Sequence, residues 1–171
     1  MQQDDVRVKS CSLSLFFQKL FPMSIVIRKF TPEDLPVMFD LIMELAVYEK
    51  APEQVTNTVE QMYIDGFGEN PVYGAILAEA DGEVVGMSLY YYRYSTWKGK
   101  RLYLEDLVVR EKMRGKGVGE KLLEGTFDIA KENNCTGLMW QVLDWNTPAI
   151  DFYKGYGAQI EDGWLNASID F

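Results

Sequence analysis

Leu102-Tyr-Leu-Glu-Asp-Leu-Val-Val109, followed by Arg114-Gly-Lys-Gly-Val-Gly119, is the stretch on which the fold turns. The first run is aromatic, β-branched and apolar, as a strand requires. After the second, Val118, Leu122, Leu123, Phe127, Ile129 and Ala130 recur at roughly helical spacing. A strand, a glycine-rich turn and a helix start together make a phosphate holder. The glycines allow positive φ and close approach of the backbone. Free N–H groups of the first helical turn, aided by the helix dipole, face the anion. Arg114 and Lys116 add positive charge at the same place.

The spacing excludes two common phosphate loops. A Walker A loop ends in Gly-Lys-Ser/Thr, and no Ser or Thr follows a Gly-Lys pair here. A dinucleotide fingerprint is G-x-G-x-x-G, whereas Gly115, Gly117 and Gly119 form G-x-G-x-G. The pattern that fits is R-x-x-G-x-G, from Arg114 to Gly119.

Composition narrows the chemistry. The 171 residues suit one domain with a sizeable core, and 47% hydrophobic with 25% charged residues is ordinary for a globular protein. A net charge of −9 argues against nucleic acid as a default partner and is compatible with cationic small molecules, although acidity for solubility alone is the plainer reading. The chain has no histidine, so Ser-His-Asp catalysis, a histidine base and a histidine metal site are excluded. Cys11 and Cys135 have neither metal nor CxxC spacing and read as reduced thiols in a cytoplasmic protein. Residues 1–22 contain a short apolar run, too short to span a bilayer and without a cleavage site. They read as an appendage from an early start codon, with a single domain over 23–171 that starts at Met23.

A first strand is expected from Ser24 to Lys29. Thr31 as N-cap, Pro32 at the first helical position and the acids Glu33 and Asp34 open a helix that runs to about Tyr48. Thr58 with Gln61 suggests a capping box for a second helix that ends near Gly66. Asp81-Gly82 between apolar runs predicts a hairpin of strands 75–80 and 83–94. A turn at Trp97-Lys-Gly99 leads into the strand that ends at Val109. Beyond the glycine-loop helix, a strand over 136–143, a helix from Thr147 to Tyr153 and two short strands over 158–162 and 165–170 complete the chain. Strands joined by crossover helices imply an α/β sandwich around a mixed sheet.

The element order, the R-x-x-G-x-G loop and Asn146-Thr-Pro-Ala-Ile-Asp-Phe-Tyr153 together resemble the GCN5-related N-acetyltransferase (GNAT) superfamily. More narrowly, Glu44-Leu-Ala-Val-Tyr-Glu49, Asp65-Gly-Phe-Gly-Glu69, Leu102-Tyr-Leu-Glu-Asp106, Asp144-Trp-Asn146, Phe152-Tyr-Lys154 and Glu161-Asp-Gly-Trp164 resemble the diamine (spermidine/spermine) and thialysine acetyltransferases. The resemblance spans about residues 24–170. It implies a mostly antiparallel central sheet flanked by helices on both faces. It also implies acetyl transfer from acetyl-CoA to a small cationic primary amine, by direct attack in a ternary complex without a metal.

By that resemblance Leu107, Val108 and Val109 present backbone groups to the pantetheine arm and acetyl carbonyl. Arg114, Gly115, Lys116, Gly117, Val118, Gly119 and Glu120 cradle the pyrophosphate, and Asn146 and Tyr153 also contact the cofactor. Tyr153 is the general acid for the leaving thiolate. Glu105 attracts the ammonium and relays its proton. Alternation along the strand sends the adjacent Asp106 to the opposite face unless a bulge intervenes. Tyr48, Glu49, Asp106, Trp140 and Asp162 line the amine site. A homodimer is implied, with no nucleic acid or membrane partner. The chain departs from these relatives at Ser95-Thr96-Trp97, where they carry an acidic-proline-tryptophan turn, and in a C-terminal tail that stops at Phe171. Both departures point from long polyamines toward a shorter amine, thialysine or an amino-acid side chain. The alternatives are an amino-acid or protein-lysine acetyltransferase and a non-catalytic acetyl-CoA-binding sensor.

Overall fold

The structure, a computed structural model, describes residues 24–169, so the expected appendage at 1–22 lies outside the described residues. These residues form two compact units, one ending at Met139 and the other starting at Trp140. The first holds β1 (Ile25–Lys29), α1 (Leu35–Tyr48), α2 (Val59–Phe67), β2 (Gly74–Ala80), β3 (Glu83–Ser95), β4 (Gly99–Val109), α3 (Val118–Glu132) and β5 (Leu138–Met139). Its sheet runs β1-β2-β3-β4-β5, antiparallel except for the parallel pair β4–β5.

Alternation along β2 sends side chains to two cores. Ala75 and Leu77 join Leu35, Met38 and Leu41 of α1 and Met62 of α2. Ile76, Ala78 and Ala80 face the other way, toward Val118 and Leu122 of α3. Helices therefore cover both faces of the sheet, as expected. The Asp81-Gly82 turn has positive φ at both residues, 51° and 83°, the geometry of a type I′ hairpin.

Polar groups fix how the helices dock. On β1, the Arg28 guanidinium binds both oxygens of Asp34, at 2.7 and 2.8 Å, and reaches Glu79 at 2.8 Å. Asp34 also accepts from the Thr31 backbone N–H at 2.8 Å. These donors hold the buried Asp34 carboxyl below the usual range. The Pro32–Asp34 stretch is a 3₁₀ turn, and α1 proper starts at Leu35 rather than at Pro32. The expected capping box of α2 is half made. Thr58 accepts from the Gln61 N–H at 3.1 Å, but the Gln61 side chain donates to Asp65 one turn on.

The strand expected over 136–143 is reduced to Leu138–Met139, paired with Leu102 and Tyr103. Two residues past that pair β4 bulges at Glu105, which breaks the even spacing of a ladder. In the second unit, α4 (Thr147–Gly155) forms as expected, ending two residues later. The strands expected over 158–162 and 165–170 are not formed across 158–169. A lone pair of short strands is marginal in water without a sheet to join.

Ser88 of β3 and Thr126 of α3 form a fully buried polar pair at 2.7 Å. The Thr126 hydroxyl spends its proton on the Leu122 carbonyl at 2.7 Å, so Ser88 is the donor. Thr126→Val strands that buried donor and is expected to cost about 1–3 kcal/mol. Adding Ser88→Ala should recover most of the loss, as read by chemical denaturation.

Candidate functional site

The glycine loop is built for an anion. Gly115 and Gly117 have φ of 70° and 80°, and Gly117 caps the start of α3. The N–H groups of Val118, Gly119 and Glu120, in the first turn of α3, lack intrahelical partners. A Cβ at Gly115 would meet nothing within 4 Å, so the mouth of the loop is open. Val118, the first residue of α3, is buried against the sheet, while Lys116 and Glu120 are exposed. Arg114 folds back from the loop. Its Nε donates to the Val109 carbonyl at 3.1 Å, and its guanidinium covers the Tyr48 ring at 5.0 Å.

The second constellation in this unit is acidic. Leu89 pairs with Asp106 and Tyr90 with Leu104, so Glu105 is an extra residue in β4. The bulge that decides the direction of Asp106 is therefore present. Asp106 lies two residues before Val108, which packs into the α1 core. The end of α1 carries Glu49, and the charges of Glu49 and Glu105 both bear on Asp106. Its carboxyl is pushed up to about 7, by burial first and those two charges second. By surface area Asp106 is only half-buried, but its carboxyl is the deeper part. Glu105 is exposed, yet partial burial of its carboxyl raises it as well.

Sequence reasoning overlooked the ring pair beside Glu105. Tyr91 of β3 faces Tyr103 of β4 with centroids 5.0 Å apart, and the Glu105 charge raises both phenols, behind burial as the larger cause. Arg93 stands 5.9 Å over the Tyr103 ring. The hairpin register carried the signal, since it pairs 91 with 103 two residues from Glu105.

Glu49 owes its place to the end of α1. The Lys50 N–H donates to Val47 and the Ala51 N–H to Ala46, the two bonds of a Schellman stop. Lys50 takes the left-handed position with φ 63°, where glycine is usual. Leu107, Val108 and Val109 pair with Ser88, Met87 and Gly86 of β3. Among the described residues no strand lies beside their other edge, because the β4–β5 ladder stops at Tyr103.

In the second unit Asn146 caps α4, accepting from the Ala149 N–H at 3.4 Å. Tyr153 is buried, with its ring 4.8 Å from Trp140 and 5.3 Å from Phe152. Asp162 is exposed and outside any element. Among the described residues no group of three or more His, Cys, Asp or Glu is placed to hold a metal ion. No helix among them is long and apolar enough to cross a membrane.

Comparison with known proteins bears on the family. The profile of the Acetyltransferase (GNAT) family matches residues 36–158. Thialysine N-epsilon-acetyltransferase of Bos taurus is 43% identical over 151 residues, 82% of this chain and 89% of that protein. Spermidine/spermine N(1)-acetyltransferase-like protein 1 of Homo sapiens is 34% identical over 81% of this chain, but 21% of its own length. L-ornithine N5-acetyltransferase of Arabidopsis thaliana is 36% identical over 49% of this chain and 37% of that protein. Among solved structures, an aminoglycoside acetyltransferase from an uncultured soil sample shares the fold, with a TM-score of 0.72. That match has 21% identity and covers 86% of this chain and all of the other.

Gly117→Ala forces a β-carbon into left-handed backbone and is expected to cost about 1–2 kcal/mol. The same change should weaken any binding of an anion by the loop, because it displaces the start of α3. Thermal unfolding and calorimetric titration with CoA check the two effects separately.

Proposed function

The chain belongs to the acetyltransferase (GNAT) family, and we propose that it moves an acetyl group from acetyl-CoA to the primary amine of a small cationic substrate. The transfer is direct, in a ternary complex. The observation that carries this reading is the carboxyl cluster at the β4 bulge, with Asp106 near 7 beside Glu105 and Glu49. A lysine-like ammonium has a pKa of about 10.4 and must lose its proton before it attacks. Carboxylates raised toward neutrality both attract that ammonium and accept its proton. Glu105, the more exposed, meets the amine and relays its proton, directly or through water, while Asp106 and Glu49 share the negative field. The ring of Tyr91, less buried than that of Tyr103, suits the alkyl stem of such an amine. Tyr48, Trp140 and Asp162 complete the acceptor residues of this reading.

For the donor, the residues present fit a pyrophosphate. The open loop, the free N–H groups of α3, Lys116 and Arg114 all offer donors to it. Bound acetyl-CoA supplies the thioester. The backbone edge at Leu107, Val108 and Val109, beside which no described strand lies, suits its pantetheine arm, and Asn146 is a further cofactor contact of this reading. Tyr153 donates its phenolic proton to the departing sulfur.

Of the acceptors, a thialysine-type amino acid is favoured over a long polyamine. The thialysine enzyme is 43% identical, the spermidine/spermine-like protein 34%. The ornithine enzyme acts within the same chemical class, an amino acid with a terminal amine. The reading includes a cytoplasmic homodimer. Exposed Trp164, Leu165 and Ile169 give the second unit apolar side chains for an interface.

A panel of thialysine, lysine, ornithine, putrescine and spermidine with acetyl-CoA, read by thiol release, tests the proposal. Turnover should be greatest with the amino acids, and Tyr153→Phe should slow it at least about tenfold. CoA binding without turnover of any amine would favour a sensor instead. A second prediction concerns pH. With its carboxyl raised, folded Asp106 keeps a proton, up to about pH 7, that the unfolded chain has already lost. Its contribution to stability is therefore lost as pH rises through 7. Asp106→Asn should flatten that loss in denaturation midpoints compared at pH 5.5 and 8.5. The wild-type kcat/KM should fall below pH 7 as the cluster gains protons.

A further inference from the structure

Two contacts tie the C-terminal half of α1 to the turn after β4. Glu44 pairs with Arg110 at 3.0 Å, and one helical turn on, the Tyr48 ring lies 5.0 Å beneath the Arg114 guanidinium. Glu44 and Tyr48 are four residues apart, so they share one face of α1. Arg110 is anchored in turn to β3, through Nε on the Val84 carbonyl at 3.2 Å and its N–H on Val85 at 2.9 Å. Arg114 holds the Val109 carbonyl through Nε, is exposed, and forms no ion pair among the described residues. Its terminal amino groups remain available to an anion while Nε and the ring hold the side chain in place.

We propose that Arg114, besides meeting the donor, is a positioning residue. Through its stack on Tyr48 it transmits occupancy of the glycine loop to the end of α1, so that donor and amine bind with positive coupling. This rests on the acetyl-transfer reading above. The route is short. Arg114 is the first residue of the loop, and an anion held by the loop fixes its guanidinium. A fixed guanidinium holds the ring it covers. Tyr48 is the last residue of α1, and one peptide bond separates it from Glu49, whose charge bears on Asp106. Lys50, next in the chain, occupies left-handed backbone that a side chain resists.

Amide hydrogen exchange on the full chain, with CoA as the probe, tests the link without any acceptor. CoA should slow exchange across residues 45–51 in the wild type and in Tyr48→Phe, which keeps the ring. At saturating CoA that protection should be lost in Arg114→Gln and in Tyr48→Leu. Steady-state kinetics with thialysine provides the second readout. Either of the latter variants should raise its KM about two- to fivefold. The double variant should raise it no further, as one shared interaction requires. Reciprocity demands that, in the wild type, thialysine lower the Kd of CoA by the factor by which CoA lowers the Kd of thialysine. CoA that binds without protecting 45–51, or KM losses that multiply in the double variant, would overturn the coupling. Failure of the wild type to bind CoA at all would instead remove the acetyl-transfer reading, and the coupling with it.

Discussion

Opposite Leu89 and Tyr90, β4 carries one residue more than β3, and that residue is Glu105. Most of what is chemical in the first unit depends on this insertion. A bulge re-aims side chains and interrupts pairing. Here it brings two neighbouring carboxylates to bear on each other and lets the end of α1 add a third. Burial then works against their charge. The result is a carboxyl that titrates near neutrality, where ordinary aspartate is fully ionised. Such a group strains the fold at alkaline pH and suits it to receive a proton from an amine.

The glycine loop depends on backbone. Two glycines in left-handed conformation bring the chain into α3 with the N–H groups of its first turn unpaired. The sheet fixes where this turn sits, because α3 is packed on β1, β2 and β3 through Val118, Leu122 and the Ser88–Thr126 pair. Anion loop and acidic bulge are thus carried by one rigid sheet, at the end and the middle of a single strand. Arg110 and Arg114 tie the turn between strand and loop to α1.

The glycine loop, the Asp-Gly hairpin and the amphipathic helices were legible because each is a local matter. Spacing, turn chemistry and helical periodicity need no partner elsewhere in the chain. The start of α1 was legible to within a turn, since Thr31, Pro32 and Asp34 act on their own backbone. Residues near the C-terminus were read less well. A strand is only as long as its neighbour allows, and Thr136–Leu143 has the composition of a strand but pairs at two positions. Residues 158–169 have strand-like runs and no ladder.

The acidic cluster divides in the same way. The residue types at Glu105, Asp106, Tyr48 and Glu49 stand in the sequence, as does their resemblance to a family of amine acetyltransferases. Which of them share a face does not, because alternation predicts opposite faces for adjacent strand residues, and only a register between two strands reveals an inserted one. The rings of Tyr91 and Tyr103, the stack of Arg114 on Tyr48 and the raised carboxyl of Asp106 all arise from contacts between residues distant in the chain. The sequence by itself determined the local geometry of the loop, the helix faces and the hairpin, since these depend on neighbours along the chain. Tertiary structure alone decided the charge state and direction of the acids, since desolvation and register are properties of packed elements rather than of any one segment.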